Sequence, residues 1–207
     1  MNRNTETRFS QIEMNNIQRS TFDLSQNIKT TFNAGLLIPF FVELDVMPAD
    51  TFKVNTSIVV RLNTPLNPTM DNCYLDTYYF YVPYRILWDH WKEFMGENKT
   101  TAWTQPTEYT IPMFTTPSED KEHNPINGME SKTIADYMGI PIGVKNLEFS
   151  QLPIRAYIKI FNEWFRDQNV TAPKIEFTDD IDRIADNEND THGGKPLHIS
   201  KMGIRVS

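Results

Sequence analysis

The stretch CYLDTYYFYVPYRILWDHWKEFMG, residues 73–96, changes its hydrophobic period at Pro83. Residues 73–82 are rich in tyrosine, threonine, phenylalanine and valine, which favour the pleated surface of a strand. After the proline, four apolar residues share one helical face: Leu87, Trp91, Phe94 and Met95. Pro83 suits a first helical turn and Gly96 a C-terminal cap. The stretch therefore predicts a strand followed by a helix over residues 83–96.

Upstream, two segments also have the character of strands. Residues 36–46, LLIPFFVELDV, are apolar and then alternating, and Pro39 inside them favours an edge position. Residues 51–63, TFKVNTSIVVRLN, alternate as a half-buried strand requires. Residues 1–30 are polar and without a steady period, so we predict an extended N-terminal arm that becomes ordered against a partner.

Downstream, residues 97–130 have the composition of a long loop, and residues 131–139, SKTIADYMG, predict a short helix. Thr133 and Asp136 loosely match a capping box, and Gly139 ends the pattern.

The stretch PIRAYIKIFNEWFRDQNV, residues 153–170, predicts a core helix over about 153–168. Six residues lie at offsets of 0, 3, 4, 7, 10 and 11 and form one apolar stripe: Ile154, Tyr157, Ile158, Phe161, Trp164 and Phe165. Pro153 suits its start and Asn169 its end. We favour a buried stripe over an aromatic ligand site.

Composition limits the function classes. The net charge is −7 and the pI is about 5.1, which argues against a protein whose main task is to grip nucleic acid through a basic face. Residues 179–190, DDIDRIADNEND, concentrate acidic side chains and predict a solvated loop, and residues 197–200 predict a weak strand. The longest apolar stretch, residues 35–46, is too short and interrupted to cross a bilayer, so we expect no membrane contact.

Strands that come first, few helices and long excursions between strands predict a mainly β protein, an antiparallel β-sandwich with helical insertions. Only four or five strands are visible, whereas a sandwich needs about eight. The sequence therefore predicts part of a domain.

A search for catalytic and metal chemistry assigns no catalytic, cofactor-binding or metal-ligating residue and predicts no enzyme. Nucleophile elbows, phosphate loops and dinucleotide fingerprints are absent. The four histidines lack metal-ligand spacing: His90, His123, His192 and His198. Five carboxylates could form hydrolytic pairs or hold Ca²⁺, although a polar helix face and a flexible acidic loop are the favoured interpretations: Glu163 with Asp167, and Asp179 with Asp180 or Asp182.

Aromatic side chains could also stack on single-stranded bases. Trp91 and Trp164 lie on the predicted core stripes, which leaves Trp88 and Trp103 as candidates. The single cysteine, Cys73, is predicted to be a buried, inert thiol and cannot form an intrachain disulfide.

Four blocks, in order along the chain, carry a family resemblance: KTTFNAGLLIPFFVELDVMPADTFKVNTSIVVRLNTP (29–65), PTMDNCYLDTYYFYVPYRILWDHWKEFMGEN (68–98), WTQP (103–106) and LPIRAYIKIFNEWFRDQNV (152–170). Together they resemble the major capsid protein of microviruses, tailless phages with a circular single-stranded DNA genome, and are most similar to the gokushoviruses. The resemblance covers roughly residues 9–201.

The resemblance implies a single viral jelly roll with long loop and helical insertions, of which residues 31–207 would be the N-terminal part. It implies self-assembly of many copies into a small icosahedral shell, location in the virion after synthesis in the host cytoplasm, no catalysis and no cofactor. Weak contact with packaged DNA would fall to Arg3, Arg8 and Arg19 on the arm, although an exposed arm is the favoured interpretation.

The resemblance also suggests that Phe161, Trp164 and Phe165 hold an inserted helix against the shell or a neighbouring subunit. Five polar residues of the same block would form a fixed hydrogen-bonded network at a contact: Asn162, Glu163, Arg166, Asp167 and Gln168.

The resemblance stops within a residue or two of Met202, where Gly-Ile-Arg-Val-Ser stands in place of a continuation of the type His-Asp-Tyr-Phe-Thr. This predicts an incomplete jelly roll with open sheet edges that aggregates or is partly ordered alone. Two alternatives stay open: a β-sandwich carbohydrate-binding module or glycan hydrolase, and a truncated capsid fragment that does not assemble.

Overall fold

The computed structural model describes residues 19–44, 46–68, 70–99, 103–105, 107–118 and 128–184. Its helical elements are a 3₁₀ turn at Tyr84–Ile86, α1 at Trp91–Phe94, α2 at Ile134–Tyr137, α3 at Leu152–Ile160 and a π-helical turn at Phe161–Phe165 that continues α3 directly. Its strands are β1 at Met113–Thr115, β2 at Glu148–Ser150 and β3 at Arg183–Ile184.

The three strands form one small mixed sheet in the order β2–β1–β3. Strand β1 runs antiparallel to β2, with Phe114 opposite Phe149, and parallel to β3, with Phe114 opposite Arg183. The rings of Phe114 and Phe149 lie 5.8 Å apart between centroids. This cross-strand aromatic pair fixes the register of the two antiparallel strands.

Helix α3 contributes to both apolar clusters of the described core. Its Ile154, Tyr157 and Ile158 pack in the larger cluster with residues from β1, α2 and the segment before it: Phe114, Met129, Ile134 and Ala135. Its Leu152 packs in the smaller cluster with Leu87 and Trp88. Burial of each large apolar side chain contributes about 2 kcal/mol. The buried apolar residues of α3 and the proline in its first turn confirm the predicted core helix and its start.

Helix α2 begins with the capping interaction that the sequence predicts. The hydroxyl of Thr133 accepts a hydrogen bond from the backbone N–H of Asp136 at 3.4 Å. The carboxylate of Asp136 in turn accepts from the backbone N–H of Lys132 at 2.7 Å. Gly139 follows the helix with a φ of +93°, a conformation in which glycine is favoured because it has no Cβ. These contacts confirm a short helix with Thr133 as its N-cap, although it covers only Ile134–Tyr137 of the predicted 131–139.

The three predicted strands at residues 36–46, 51–63 and 73–82 are wrong for the described chain. These segments carry no strand ladder, although their composition is that of strands. A strand is stable only when a neighbour takes up its backbone N–H and C=O groups, and here no described segment does so in register. The strands that do form lie at three short segments that the periodicity did not mark.

Two helix predictions need correction. Residues 83–96 form a 3₁₀ turn and the one-turn helix α1 rather than one helix, so Phe94 and Met95 are exposed whereas Leu87 is buried. The helix predicted over about 153–168 ends, with its π-helical turn, at Phe165, before the predicted end at Asn169. The region predicted as a loop, 97–130, contains β1.

Several predictions lie outside the described residues. They concern residues 1–18 of the arm, the strand at 197–200 and the acidic residues after Ile184. Within the described ranges, no helix is long and apolar enough to cross a membrane.

Candidate assembly surface

A polar stripe runs along α3 beside its apolar residues, and most of its side chains are buried. It consists of Gln151, Arg155, Lys159 and Asn162, which recur every three or four residues and so share one helical face. These side chains contact residues 174–183, which we call the return segment. Periodicity marked the apolar stripe but not this polar one, because its function depends on a segment that arrives from later in the chain.

Arg155 is the central residue of the stripe and is buried. One of its terminal nitrogens, Nη1, donates to the carbonyl oxygen of Leu87 at 3.2 Å. The other, Nη2, donates to the carbonyl of Asp179 and to Oε1 of Gln151, both at 2.9 Å. A guanidinium presents several donors in a fixed plane, so one side chain joins the turn before α1, helix α3 and the return segment.

Asn162 holds the return segment at the other end of the stripe. Its Nδ2 donates to the carbonyl of Lys174 at 2.7 Å, and its Oδ1 accepts from the N–H of the same residue at 2.9 Å. The amide thus pairs with the backbone as a neighbouring strand would. Lys159 adds an ion pair to Glu176 at 3.3 Å.

The acidic residues of the return segment are bound by the protein. Asp179 forms an ion pair with Arg183 at 2.6 Å, and hydrogen bonding from Arg183 lowers the pKa of the Asp179 carboxyl. Asp180 accepts hydrogen bonds from the indole N–H of Trp88 and from the His90 ring. Asp182 accepts from the backbone N–H of Met113 at 2.8 Å. Asp180 and Asp182 are exposed, as the predicted solvated loop requires, but basic, indole or backbone donors of the chain also meet each of the three carboxylates.

A π-helical turn changes the direction in which the end of the long helix presents its aromatic residues. The N–H of Arg166 bonds to the carbonyl of Phe161 at 2.8 Å, five residues back. The wider turn shifts the phase of the residues that follow, so Trp164 leaves the apolar stripe and is 70% exposed. The prediction that Trp164 is a core residue is wrong for this reason. Single π turns are uncommon and are frequent at functional sites.

The exposed end of the helix forms an aromatic cluster with the extended segment 73–82. Phe80 lies 6.0 Å from Trp164 and 6.0 Å from Phe165 between ring centroids. Tyr78 meets Phe165 edge-on at 5.2 Å. Edge-to-face pairs of this kind contribute about 0.5–1.5 kcal/mol each beyond their buried area. They attach segment 73–82 to the helix without a strand ladder.

Segments 51–62 and 73–81 expose many apolar side chains. Val59 is 89% exposed and Tyr74 is 85% exposed. Others of the same segments are also open to solvent: Phe52, Val54, Ile58, Val60, Leu62, Leu75, Tyr78, Tyr79, Phe80 and Tyr81. Exposed apolar side chains in such numbers favour a surface that another polypeptide segment covers.

The N-terminal segment is held to the core by tyrosine hydroxyls. Tyr137 donates to the carbonyl of Thr31 at 2.8 Å, Tyr157 to that of Leu37 at 2.9 Å and Tyr84 to that of Leu44 at 3.3 Å. Arg19 donates to the carbonyl of Ala49 at 3.0 Å. Arg3 and Arg8 lie outside the described residues.

The two candidate hydrolytic carboxylates on the helix, Glu163 and Asp167, have separate partners. Glu163 forms an ion pair with Lys159 at 3.0 Å, whereas Asp167 accepts from the backbone N–H of Asn169 at 3.0 Å. This confirms the favoured interpretation, a polar face with a local ion pair. Arg166 donates to the carbonyl of Thr171 at 2.9 Å. The hydrogen bonds and ion pairs described for Asn162, Glu163, Arg166 and Asp167, four members of the predicted contact network, therefore lie within the chain.

The remaining tryptophan, histidine and cysteine candidates differ in how far they are buried. Trp88 is fully buried, which removes it as a candidate for base stacking, whereas Trp103 is 97% exposed and stays a candidate. His90 is half-buried, with its ring stacked on Tyr109 at 4.2 Å; the other histidines lie outside the described residues. Cys73 is exposed, which corrects the predicted buried thiol. No group of three metal-ligating side chains occurs in the described part of the chain.

Comparison with known proteins identifies the family. The sequence profile of the family described as "Capsid protein (F protein)" matches residues 10–202. The chain belongs to this capsid protein family. A structural family of this kind fits the described residues, among which the candidate carboxylates have separate partners and segments 51–62 and 73–81 expose apolar side chains.

Three curated relatives extend this assignment. The capsid protein VP1 of Chlamydia phage 1 is 40% identical over 185 residues, 87% of this chain and 30% of the relative. The capsid protein VP1 of Bdellovibrio phage phiMH2K is 40% identical over 168 residues, 81% of this chain and 30% of the relative. The capsid protein VP1 of Spiroplasma virus 4 is 34% identical over 79% of this chain and 28% of the relative. The chain spans about three tenths of the length of these relatives.

Proposed function

We propose that this chain is a structural capsid subunit that associates with other copies into a shell around a circular single-stranded DNA phage genome. The observation that carries the proposal is the apolar surface of segments 51–62 and 73–81, which is exposed in the single chain. Membership of a capsid protein family says which class of assembly would cover it.

The proposal includes a single jelly roll, with residues 1–30 as an arm and residues 31–207 as the N-terminal part of the domain. Three helical insertions would interrupt that domain, at about 83–96, 131–139 and 153–168. Segments 51–62 and 73–81 have strand composition, so they support this fold once partner strands complete their ladders. The protein would act in the virion after synthesis in the host cytoplasm.

The role would be structural rather than enzymatic. The acidic side chains that could act as an acid–base pair already accept hydrogen bonds or ion pairs from neighbours of the same chain. Membership of a capsid protein family supports this structural role. The acidic net charge is consistent with weak contact with packaged DNA through a few residues.

The test is association as a function of concentration. We expect the full chain to form large species in sedimentation velocity, and electron microscopy to show whether they are closed shells. The double variant Val59→Asp, Leu62→Asp would dissociate them, because charges would replace two exposed apolar contacts. The control is Thr51→Asp, Asn55→Asp in the same segment. A chain that stays monomeric at all concentrations would rule the proposal out.

A further inference from the structure

The turn before α1 contacts the return segment through three consecutive residues. The backbone N–H of Asp89 donates to the carbonyl of Thr178 at 3.1 Å, and the Thr178 hydroxyl donates to the Asp89 carboxylate at 2.8 Å. The indole N–H of Trp88 donates to the carboxylate of Asp180. The ring Nδ1 of His90 lies 2.8 Å from Oδ2 and 3.0 Å from Oδ1 of that same carboxylate. Residues 88–90 and 178–180 are therefore joined by one continuous set of polar contacts.

The contact between His90 and Asp180 changes in strength when the imidazole gains a proton. A neutral imidazole donates from Nδ1 in only one of its two tautomers, and in the other Nδ1 carries a lone pair that a carboxylate repels. A protonated imidazole donates from both nitrogens and adds the attraction of opposite charges. Histidine changes its charge between about pH 5 and pH 8, whereas a carboxylate stays ionised over that range. The contact is therefore stronger at the acidic end of this range than at the alkaline end.

The neighbours of the pair do not titrate over the same range. The ring of Tyr109, from the segment before β1, stacks on the imidazole with the centroids 4.2 Å apart and the planes at 10°. The charged groups of the other elements packed around the pair are Glu93 of α1 with its partner Lys99, Asp89 of the turn, Arg155 of α3, and the Asp179–Arg183 ion pair of the return segment. Phenol, carboxylate, ammonium and guanidinium groups keep their charge between about pH 5 and pH 8. The imidazole is therefore the group of this set whose charge changes there.

Further along, the return segment is held by contacts that do not depend on histidine. Nη2 of Arg155 donates to the carbonyl of Asp179 at 2.9 Å. The amide of Asn162 pairs with the backbone of Lys174 at 2.7 and 2.9 Å. A change in the charge of His90 would therefore act on one end of the segment and leave the other end in place.

We propose that the His90–Asp180 pair makes the attachment of the return segment depend on pH, so that residues 178–180 are held more firmly against the turn before α1 as pH falls from about 8 to about 5. The two side chains are 36% and 38% exposed, so water screens their attraction. We therefore expect a change of about twofold to fivefold in the equilibrium between the attached and detached forms. The contact lies within one chain, so the proposal goes beyond the capsid role and does not depend on self-association.

Hydrogen exchange of the Asp89 amide measures this attachment, because its N–H is bound to Thr178 and exchanges when the return segment moves away. Mass spectrometry of the full chain at several pH values gives the protection of this amide, which is its intrinsic exchange rate at that pH divided by the observed rate. We expect the protection to rise about twofold to fivefold between about pH 8 and pH 5. The rise should be absent in His90→Gln, which keeps a polar side chain, and in Asp180→Asn, which keeps an acceptor for the Trp88 indole.

Two controls separate the local contact from other effects of pH. The Lys174 amide, which donates to Oδ1 of Asn162 at 2.9 Å, reports on the other end of the return segment and should show no such rise. His123→Gln removes a histidine outside the described residues and should retain the rise at Asp89. Constant protection of Asp89 in the unchanged chain, or the same rise in His90→Gln, would overturn the proposal. An equal rise at Lys174 would also overturn it, because the stability of the whole chain rather than this contact would then depend on pH.

Discussion

The Nη2 atom of Arg155 lies 2.9 Å from the carbonyl oxygen of Asp179, so a buried guanidinium joins helix α3 to the return segment. The same nitrogen donates to Gln151 one helical turn earlier. Burial lowers the pKa of the Arg155 guanidinium, although the group stays protonated at neutral pH because an arginine begins far above it. The carbonyl oxygens of Leu87 and Asp179 stabilise this buried charge, as does the Asp179 carboxylate.

Replacement of Arg155 by methionine should reduce the free energy of unfolding by about 2–3 kcal/mol, because the carbonyls of Leu87 and Asp179 lose their donor. Urea denaturation followed by circular dichroism measures this change. Arg85→Met is the control: that arginine is exposed on the 3₁₀ turn, and its loss should change stability by less than about 0.5 kcal/mol. Equal effects of the two variants would show that the buried network does not contribute.

The Asp179 carboxyl should make stability depend on acidic pH. Hydrogen bonding from Arg183 lowers its pKa in the folded chain. A depressed folded pKa adds stability above the ordinary aspartate value, near 4, and that stability is lost as pH falls through the folded value. Asp179→Asn should therefore lose less of its free energy of unfolding on acidification than the unchanged chain does. Measurements of that free energy between about pH 2 and pH 7 compare the two chains. Asp71→Asn is the exposed control. An unchanged slope in Asp179→Asn would contradict the assignment.

Two glycines with similar backbone angles should respond differently to alanine. Gly128 and Gly143 have φ values of +73° and +72°. A Cβ at Gly128 would lie 2.4 Å from the carbonyl oxygen of Val144, whereas at Gly143 nothing lies within 4 Å. Gly143→Ala should cost about 1–2 kcal/mol for the left-handed backbone alone. Gly128→Ala should cost about 1–3 kcal/mol more for the clash. Thermal denaturation of both variants gives the comparison, and equal losses would refute the close approach.

Trp88, a stacking candidate, and Trp164, a predicted core residue, should contribute to the free energy of unfolding in the opposite order to those assignments. Trp88 is fully buried and its indole donates to Asp180, so Trp88→Ala should cost about 3–5 kcal/mol. Trp164 is mostly exposed, so Trp164→Ala should cost less than about 1 kcal/mol. Urea denaturation at a concentration below that of association measures both. A large loss in Trp164→Ala would place this ring in the core, as the simple helical stripe predicted.

Some features of the candidate surface follow from sequence position alone, and others do not. The hydrophobic stripe identified Ile154, Tyr157 and Ile158 correctly because helical neighbours lie three and four residues apart. The stripe failed at Trp164 because one additional residue in a π turn changes the phase. The spacing of apolar residues does not by itself predict that turn.

By itself, the sequence determined the start and apolar face of α3, the caps of α2 and the ordered blocks that mark the capsid family. These depend on side chains a few positions apart or on the order of residues along the chain. Only the tertiary structure decided which segments pair as strands, where Asp179 and Asp180 find donors, and which tryptophan is exposed. The reason is physical: strand β1 pairs with residues more than 30 positions away, and the polar stripe of α3 acts only when the return segment lies against it.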